Sequence, residues 1–130
     1  MPVISTDFFP TILEIADVST VQQQYKDGIS IVPLLKGAKS LDRESLFWHY
    51  PHYGNQGGSP GAAIRAGDYK LIEFFEDNHV ELYNLKDDIG EQNNLAVDMP
   101  EKVKELRNIL HQWQNEVDAQ LPAANPLFKN

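Results

Sequence analysis

The stretch from Arg43 to Leu85 constrains the fold more than any other part of the chain. It holds an aromatic run, Leu46-Phe-Trp-His-Tyr50, a glycine-rich loop, and then the runs Ala62–Ala66, Tyr69–Phe75 and Val80–Leu85. Runs of that length, bounded by proline, glycine and aspartate, read as strands. Gly67-Asp68 lies between two of them as a two-residue hairpin signal, because glycine reaches the positive φ that such turns require. Side chains alternate along a strand, so Leu71, Glu73 and Phe75 share one face and Lys70, Ile72 and Phe74 the other. The stretch is therefore one strand, a loop with polar tips, and an antiparallel meander. Leu46–Tyr50 reads as a buried strand because it is rich in aromatics, and Pro51 ends its pairing because it has no N–H to donate. Asn55–Gly61 has no conformation that its residues dictate. Such a loop on a rigid sheet carries binding residues or merely connects.

The rest of the chain precedes this sheet or covers it. Ser5-Thr6-Asp7 offers oxygens that can cap a helix, and Pro10 fits within a first turn. Phe8, Ile12, Ile15 and Ala16 then share one helical face, which calls for burial against a large surface. A chain of this size has little such surface to offer. Ser19–Gly28 is a polar connector, and Ser30 caps a short turn, Ile31–Lys36, that Gly37 ends. Lys86–Val97 is acidic and irregular. Asp98 with Glu101 three residues later predicts a capping-box-like start. Val103, Leu106, Leu110, Trp113 and Val117 recur at helical spacing beyond it, with Ile109 widening the stripe. The helix is expected over roughly Met99–Gln120, stopped by Pro122, with Trp113 at the centre of its contact with the sheet. Asn125-Pro126 keeps the tail extended.

A chain of 130 residues is enough for one small core and hardly for two. No apolar run approaches the ~20 residues that cross a bilayer, so no membrane partner is expected. No basic region followed by an apolar stretch opens the chain, so this segment holds no signal peptide pattern. The abrupt start before a helix signal suits a piece of a larger protein. The net charge of −8 argues against nucleic acid, which needs a cationic surface, and serves solubility. With no cysteine in the sequence, disulfides, thiolate metal sites and a cysteine nucleophile are all excluded.

Three motifs in the central stretch carry a resemblance. Arg43 opens R-x-S-L-F-W-H-Y-P-H-Y, Ala63 opens A-I-R-A-G-D-Y-K-L-I, and Glu81–Ala96 reads E-L-Y-N-L-x-x-D-x-x-E-x-x-N-L-A. Together they resemble the C-terminal part of a type I sulfatase of the arylsulfatase kind, in the alkaline-phosphatase-like superfamily. Ser5–Ala16 and Asp27–Gly37 resemble two segments that precede that part, so nearly the whole chain is covered in the family's order. The resemblance implies that residues 1–53 are trailing elements of an N-terminal catalytic domain and 54–130 a C-terminal subdomain. It implies an α+β segment, an antiparallel sheet of about four strands under a long C-terminal helix, preceded by elements of a larger α/β domain. The parent would remove sulfate from a carbohydrate or aryl ester and would be periplasmic or secreted.

Such chemistry, as the family performs it, uses a formylglycine made from a Cys/Ser-x-Pro-x-Arg motif and a calcium ion held by clustered aspartates. The sequence holds neither the cysteine nor a serine followed by x-Pro-x-Arg. Ser59 stands directly before Pro60, at the wrong spacing. By the resemblance, calcium and formylglycine belong to residues before Met1, and this segment alone is inactive. It would brace the parent catalytic domain and border the substrate pocket.

Three residues are candidates for touching substrate. His49 and His52 flank Tyr50-Pro51 at a strand end and could donate to sulfate or sugar oxygens, or be packed and satisfied beside the aromatics. Arg65 could bind an anion with its planar fork or pair with Glu73 or Glu81. Zinc on the two histidines lacks a third ligand, and Asp87-Asp88 reads as a solvated acidic turn. His79 and His111 read as solvated. An exposed apolar face on Phe8–Ala16 and Leu46–Tyr50 predicts homo-oligomers or disorder of the first ~40 residues. The alternative reading is a free-standing carbohydrate-binding or interaction module built on the aromatic strand and its loop. An independent hydrolase using Asp and His pairs has no nucleophile–base spacing behind it.

Overall fold

The computed structural model describes residues 1–19, 27–55 and 57–123. Most of the expected connector and the Asn125-Pro126 tail lie outside them. The chain forms two compact units, Met1–Arg43 and Glu44–Asn130. The boundary between the units falls ahead of the aromatic strand, at 43/44.

In the first unit a single 3-10 turn, Ser5–Asp7, runs into helix α1, Phe8–Ile15, and a short helix α2 spans Val32–Leu35. An aspartate organises it. The Asp7 carboxylate is almost wholly buried. Its Oδ2 accepts the Ile4 N–H at 2.9 Å and its Oδ1 the Ile29 N–H at 3.1 Å. Arg43 grips it with both arms of its fork, Nη1 to Oδ1 at 2.7 Å and Nη2 to Oδ2 at 2.8 Å. Thr11 bridges the same segments: its hydroxyl donates to the Asp7 carbonyl at 2.6 Å and accepts the Ile31 N–H at 3.0 Å. Gly28 is required where these segments meet, since a Cβ there would lie 2.2 Å from the Thr6 carbonyl oxygen. Ser30 Oγ accepts the Val32 N–H at 3.2 Å, and Gly37, at φ 95°, ends α2 as a left-handed residue. The apolar face of α1 stays open: Phe8, Ile12 and Ile15 are 60%, 62% and 66% exposed.

The second unit is a four-stranded antiparallel sheet in chain order, β1 Ser45–Tyr50, β2 Gly61–Ala66, β3 Tyr69–Phe74 and β4 Val80–Asn84. Helix α3, Pro100–Glu116, covers one face. The α+β architecture is the one that the alternation and the helical stripe predict. Register runs from Ser45↔Ala66 to Tyr50↔Gly61 and from Gly61↔Phe74 to Ala66↔Tyr69. Gly67 makes the tight turn at φ 58°. The core under α3 joins Ala62, Ile64, Leu71 and Leu82 to Leu106 and Leu110. Leu95 returns to the free edge of β4, donating its N–H to the Leu82 carbonyl at 2.8 Å. Asn94 Oδ1 accepts the Leu82 N–H at 3.1 Å, so this edge has partners for its backbone.

Four local expectations are corrected. Strand β1 lies at the sheet edge and buries only Leu46 fully; Trp48 and Tyr50, on the face away from α3, are exposed. The centre of the α3 contact is Leu106 and Leu110, not Trp113, which stacks flat on Phe47 with centroids 4.7 Å apart. The capping box is not formed. Met99 takes the N-cap position with no side-chain bond and Pro100 opens the helix, a place where its missing N–H costs nothing. The helix stops before Pro122 is reached, because Asp118 turns left-handed at φ 51°.

Candidate functional site

The three sequence candidates lie in different surroundings. His49 is on the α3 side of β1. Its Nε2 lies 2.9 Å from the Gln120 carbonyl oxygen and its Nδ1 3.3 Å from the Gln114 amide nitrogen. A carbonyl can only accept, so Nε2 carries the proton and Nδ1 accepts from Gln114. The ring also tilts against Phe75, 5.4 Å between centroids. His52, past the strand end, is exposed and meets the Tyr50 ring edge-on at 5.5 Å. Beside it Tyr53 donates its hydroxyl to Glu76 at 2.6 Å. That bond to a carboxylate pushes the phenol's ionisation up. Arg65 pairs with Leu46 across the strands and belongs to the sheet's other face, away from α3.

On that face lies a cleft of about 420 Å³, with Trp48, Arg65, Lys70, Ile72, Ile89 and Glu91 in its walls. Lys70 Nζ holds both oxygens of Glu91, at 2.7 and 2.8 Å. Arg65 pairs with neither Glu73 nor Glu81. Its Nε is sealed from solvent without an acceptor. Nearby Tyr83 ionises less readily than a free phenol, first because it is buried and then because Glu81 accepts from it.

Glu73 has gone to the helix instead. It is buried on the core face, where Arg107 and His111 of α3 both reach it, His111 Nε2 at 2.6 Å. His111 thus hydrogen-bonds a buried carboxylate rather than standing free in solvent. The signal for this cluster was present in the sequence: an acid on the apolar face of a strand, and two bases four residues apart on the covering helix. His79 also has partners, stacking on Phe74 with centroids 4.2 Å apart and bonding Asp77.

Asp88 Oδ2 accepts the N–H groups of Gln92 and Asn93, each at 2.8 Å, and these bonds hold its pKa below the usual carboxylate range. Asp87 accepts from the Asn84 amide at 2.8 Å. Among the described residues no three His, Cys, Asp or Glu side chains converge as metal ligands. The sequence has no precursor of a formylglycine. The residues present therefore do not fit the metal and nucleophile that sulfate-ester hydrolysis uses.

A four-stranded antiparallel meander under one long helix, with these motifs in order, defines the class as the C-terminal region of a sulfatase. The chain belongs to the C-terminal family of N-sulphoglucosamine sulphohydrolase, which it matches over residues 2–120. It is 36% identical over 121 residues to a sulfatase of Formosa agariphila, covering 82% of this chain and 22% of that protein. It is 34% identical over 95 residues to the Delta 4,5-hexuronate-2-O-sulfatase of Bacteroides thetaiotaomicron, covering 71% of this chain and 19% of that one. Among solved structures, BT1596, a 2-O GAG sulfatase, superposes with a TM-score of 0.74 at 26% identity, over 92% of this chain and 27% of that chain. BT4656, in complex with its substrate D-glucosamine-2-N,6-O-disulfate, gives 0.71 at 31% identity, over 86% and 24%. The chain spans about a quarter or less of the length of each.

Proposed function

We propose that this chain serves a sulfuric ester hydrolase as its C-terminal part, bracing a catalytic part and bordering the pocket that takes a sulfated carbohydrate. The observation that carries this reading is the family match over residues 2–120, with sulfatases of sulfated sugars among the relatives. The chain's own residues supply shape rather than reaction chemistry. They hold no formylglycine precursor, so desulfation needs the catalytic part, which would carry the formylglycine and the calcium.

Within this reading, the first unit continues the catalytic domain, and the open face of α1 rests on it. His52 and the 54–61 loop stand at the end of the sheet nearest the pocket, where an exposed imidazole can donate to a sulfate or hydroxyl oxygen. His49 contributes by holding β1 against α3, and Arg65 by offering a guanidinium on the face away from it. Lacking its partner, α1 would pair with a second copy of the chain. The relatives' sugar substrates point to a periplasmic or secreted enzyme.

Sulfate release from a 2-O-sulfated unsaturated glycosaminoglycan disaccharide and from glucosamine 6-sulfate tests the proposal. The catalytic part joined to this chain is expected to turn one of them over, and the 130-residue chain alone to release nothing. Steady turnover by the purified 130-residue chain would overturn it.

A further inference from the structure

We propose that the open edge of β1 is a docking site for the chain's own C-terminal end, residues 124–130, added there as an antiparallel fifth strand. The inference goes beyond the sulfatase reading, because the family match ends at residue 120. It starts from the difference between the two edges of the sheet. On β4 the outward N–H and C=O of Leu82 are taken by Asn94 and Leu95. On β1 nothing comparable is found. Phe75 donates its N–H to the Pro60 carbonyl at 2.9 Å, one step beyond the pair Gly61↔Phe74, and bonding alternates along an antiparallel pair. Gly61, Ala63 and Arg65 therefore bond to β1, through Tyr50, Trp48 and Leu46. That turns the N–H and C=O groups of Ser45, Phe47 and His49 outward, and among the described residues no hydrogen bond reaches them. The strand has no lysine or proline and pairs without a bulge, so it lacks the devices that guard a natural edge.

The chain delivers its own end to this edge. His49 Nε2 lies 2.9 Å from the Gln120 carbonyl oxygen, so the residues after α3 leave from beside the C-terminal end of β1. A segment that follows the edge from there runs antiparallel to it. Residues 121–123 can reach about 10 Å, the spacing of packed layers. The seven residues after them cover about 23 Å as a strand, enough for the six of β1. Pro126 fixes the parity. It has no N–H, so it faces away from the ladder, and Asn125, Leu127 and Lys129 take the bonding side opposite His49, Phe47 and Ser45. Paired residues share a face. Leu127 then falls beside Phe47, which stacks on Trp113, while Pro126 and Phe128 fall beside Trp48 and Leu46. Lys129 arrives next to Glu44, a positive charge on a chain of −8. The new edge carries a proline and a lysine, which discourage further pairing.

Amide hydrogen exchange followed by nuclear magnetic resonance tests the pairing in the 130-residue chain. Leu127→Pro removes a donor on the bonding side. The Ser45, Phe47 and His49 amides should exchange about tenfold faster in that variant, the scale of one main-chain hydrogen bond each. Pro126→Ala, on the side away from the ladder, should leave them as slow as in the parent. The Leu46, Trp48 and Tyr50 amides, bonded to β2, should stay equally slow in all three chains and so report an intact sheet. A close contact between the α-protons of Pro126 and Trp48 should mark the register. Equal exchange of the outward amides in the parent and in Leu127→Pro would overturn the proposal. Protection that falls on dilution would also overturn it, and would give the edge to a second copy. The assay involves no turnover, so either result leaves the sulfatase reading to be judged by its own experiment.

Discussion

Asp7 shows how one side chain can hold a small unit together. Burial by itself would raise its pKa, but Arg43 and the Ile4 and Ile29 N–H groups outweigh that and hold it below the ordinary 3.8. A carboxylate with a depressed folded pKa adds stability above its unfolded value, and that stability disappears as pH falls through the folded one. The first unit should therefore loosen below about pH 4. Asp7→Asn removes the charge while nearly keeping the shape, and leaves the Arg43 guanidinium, 10% exposed, without its anion. A loss of about 3 kcal/mol is expected. Hydrogen exchange at the Ile29 and Ile31 amides is the measurement. Both should lose protection at pH 7, while the sheet amides keep theirs, and unchanged protection would show that other contacts order the segment.

Glu73 is the counterpart in the second unit. Its side chain is 5% exposed, but Arg107 and His111 are 35% and 46% exposed, so water screens the pair in part. Glu73→Gln is expected to cost about 1–2 kcal/mol, seen as a lower urea midpoint with an unchanged slope. A midpoint within error of the parent's would mean that the cluster sets helix orientation without adding stability.

At the scale of elements, the sheet under α3 is where period and burial agree. Leu106 and Leu110 are essentially fully buried against Ile64, Leu71 and Leu82. Leu110→Ala should cost about 2–5 kcal/mol, enough to unfold much of so small a unit, and thermal melting by circular dichroism would report it. A loss under 1 kcal/mol would place the core elsewhere. These elements were legible because alternation and the 3.6-residue stripe depend on side chains alone. The helix ends were not. Asp98-x-x-Glu101 had the residues of a capping box, yet Pro100 took the first helical position and moved the start. At the other end a left-handed Asp118 stopped the helix where glycine would ordinarily be sought. The place of β1 was equally hidden. An aromatic strand reads as buried whether it lies in the middle of a sheet or at its edge, and only the pairing order decides. For the same reason the sequence grouped His49 with Arg65, though strand parity puts them on opposite faces once the register Leu46↔Arg65 and His49↔Ala62 is known.

At the scale of the whole molecule, the unsatisfied feature is α1. Phe8, Ile12 and Ile15 lie mostly in water, and burying each such side chain is worth about 1.5–3 kcal/mol. The sequence marked this face as needing a partner; which partner depends on polypeptide that the residues themselves do not describe. In the isolated chain a second copy would bury it, as proposed above. Charge sets the conditions under which it forms. At −8 per chain, two copies repel one another in dilute buffer, and salt screens that repulsion while leaving apolar contact in place. Self-association should therefore strengthen between 20 mM and 500 mM sodium chloride, the opposite of an interface built on ion pairs. Ile12→Asp together with Ile15→Asp should give a monomer at both salt concentrations with the same far-ultraviolet spectrum. Sedimentation equilibrium distinguishes the outcomes. If the unsubstituted chain stays monomeric at high protein concentration and high salt, the α1 face is not adhesive, and its role in seating a catalytic part loses its physical basis.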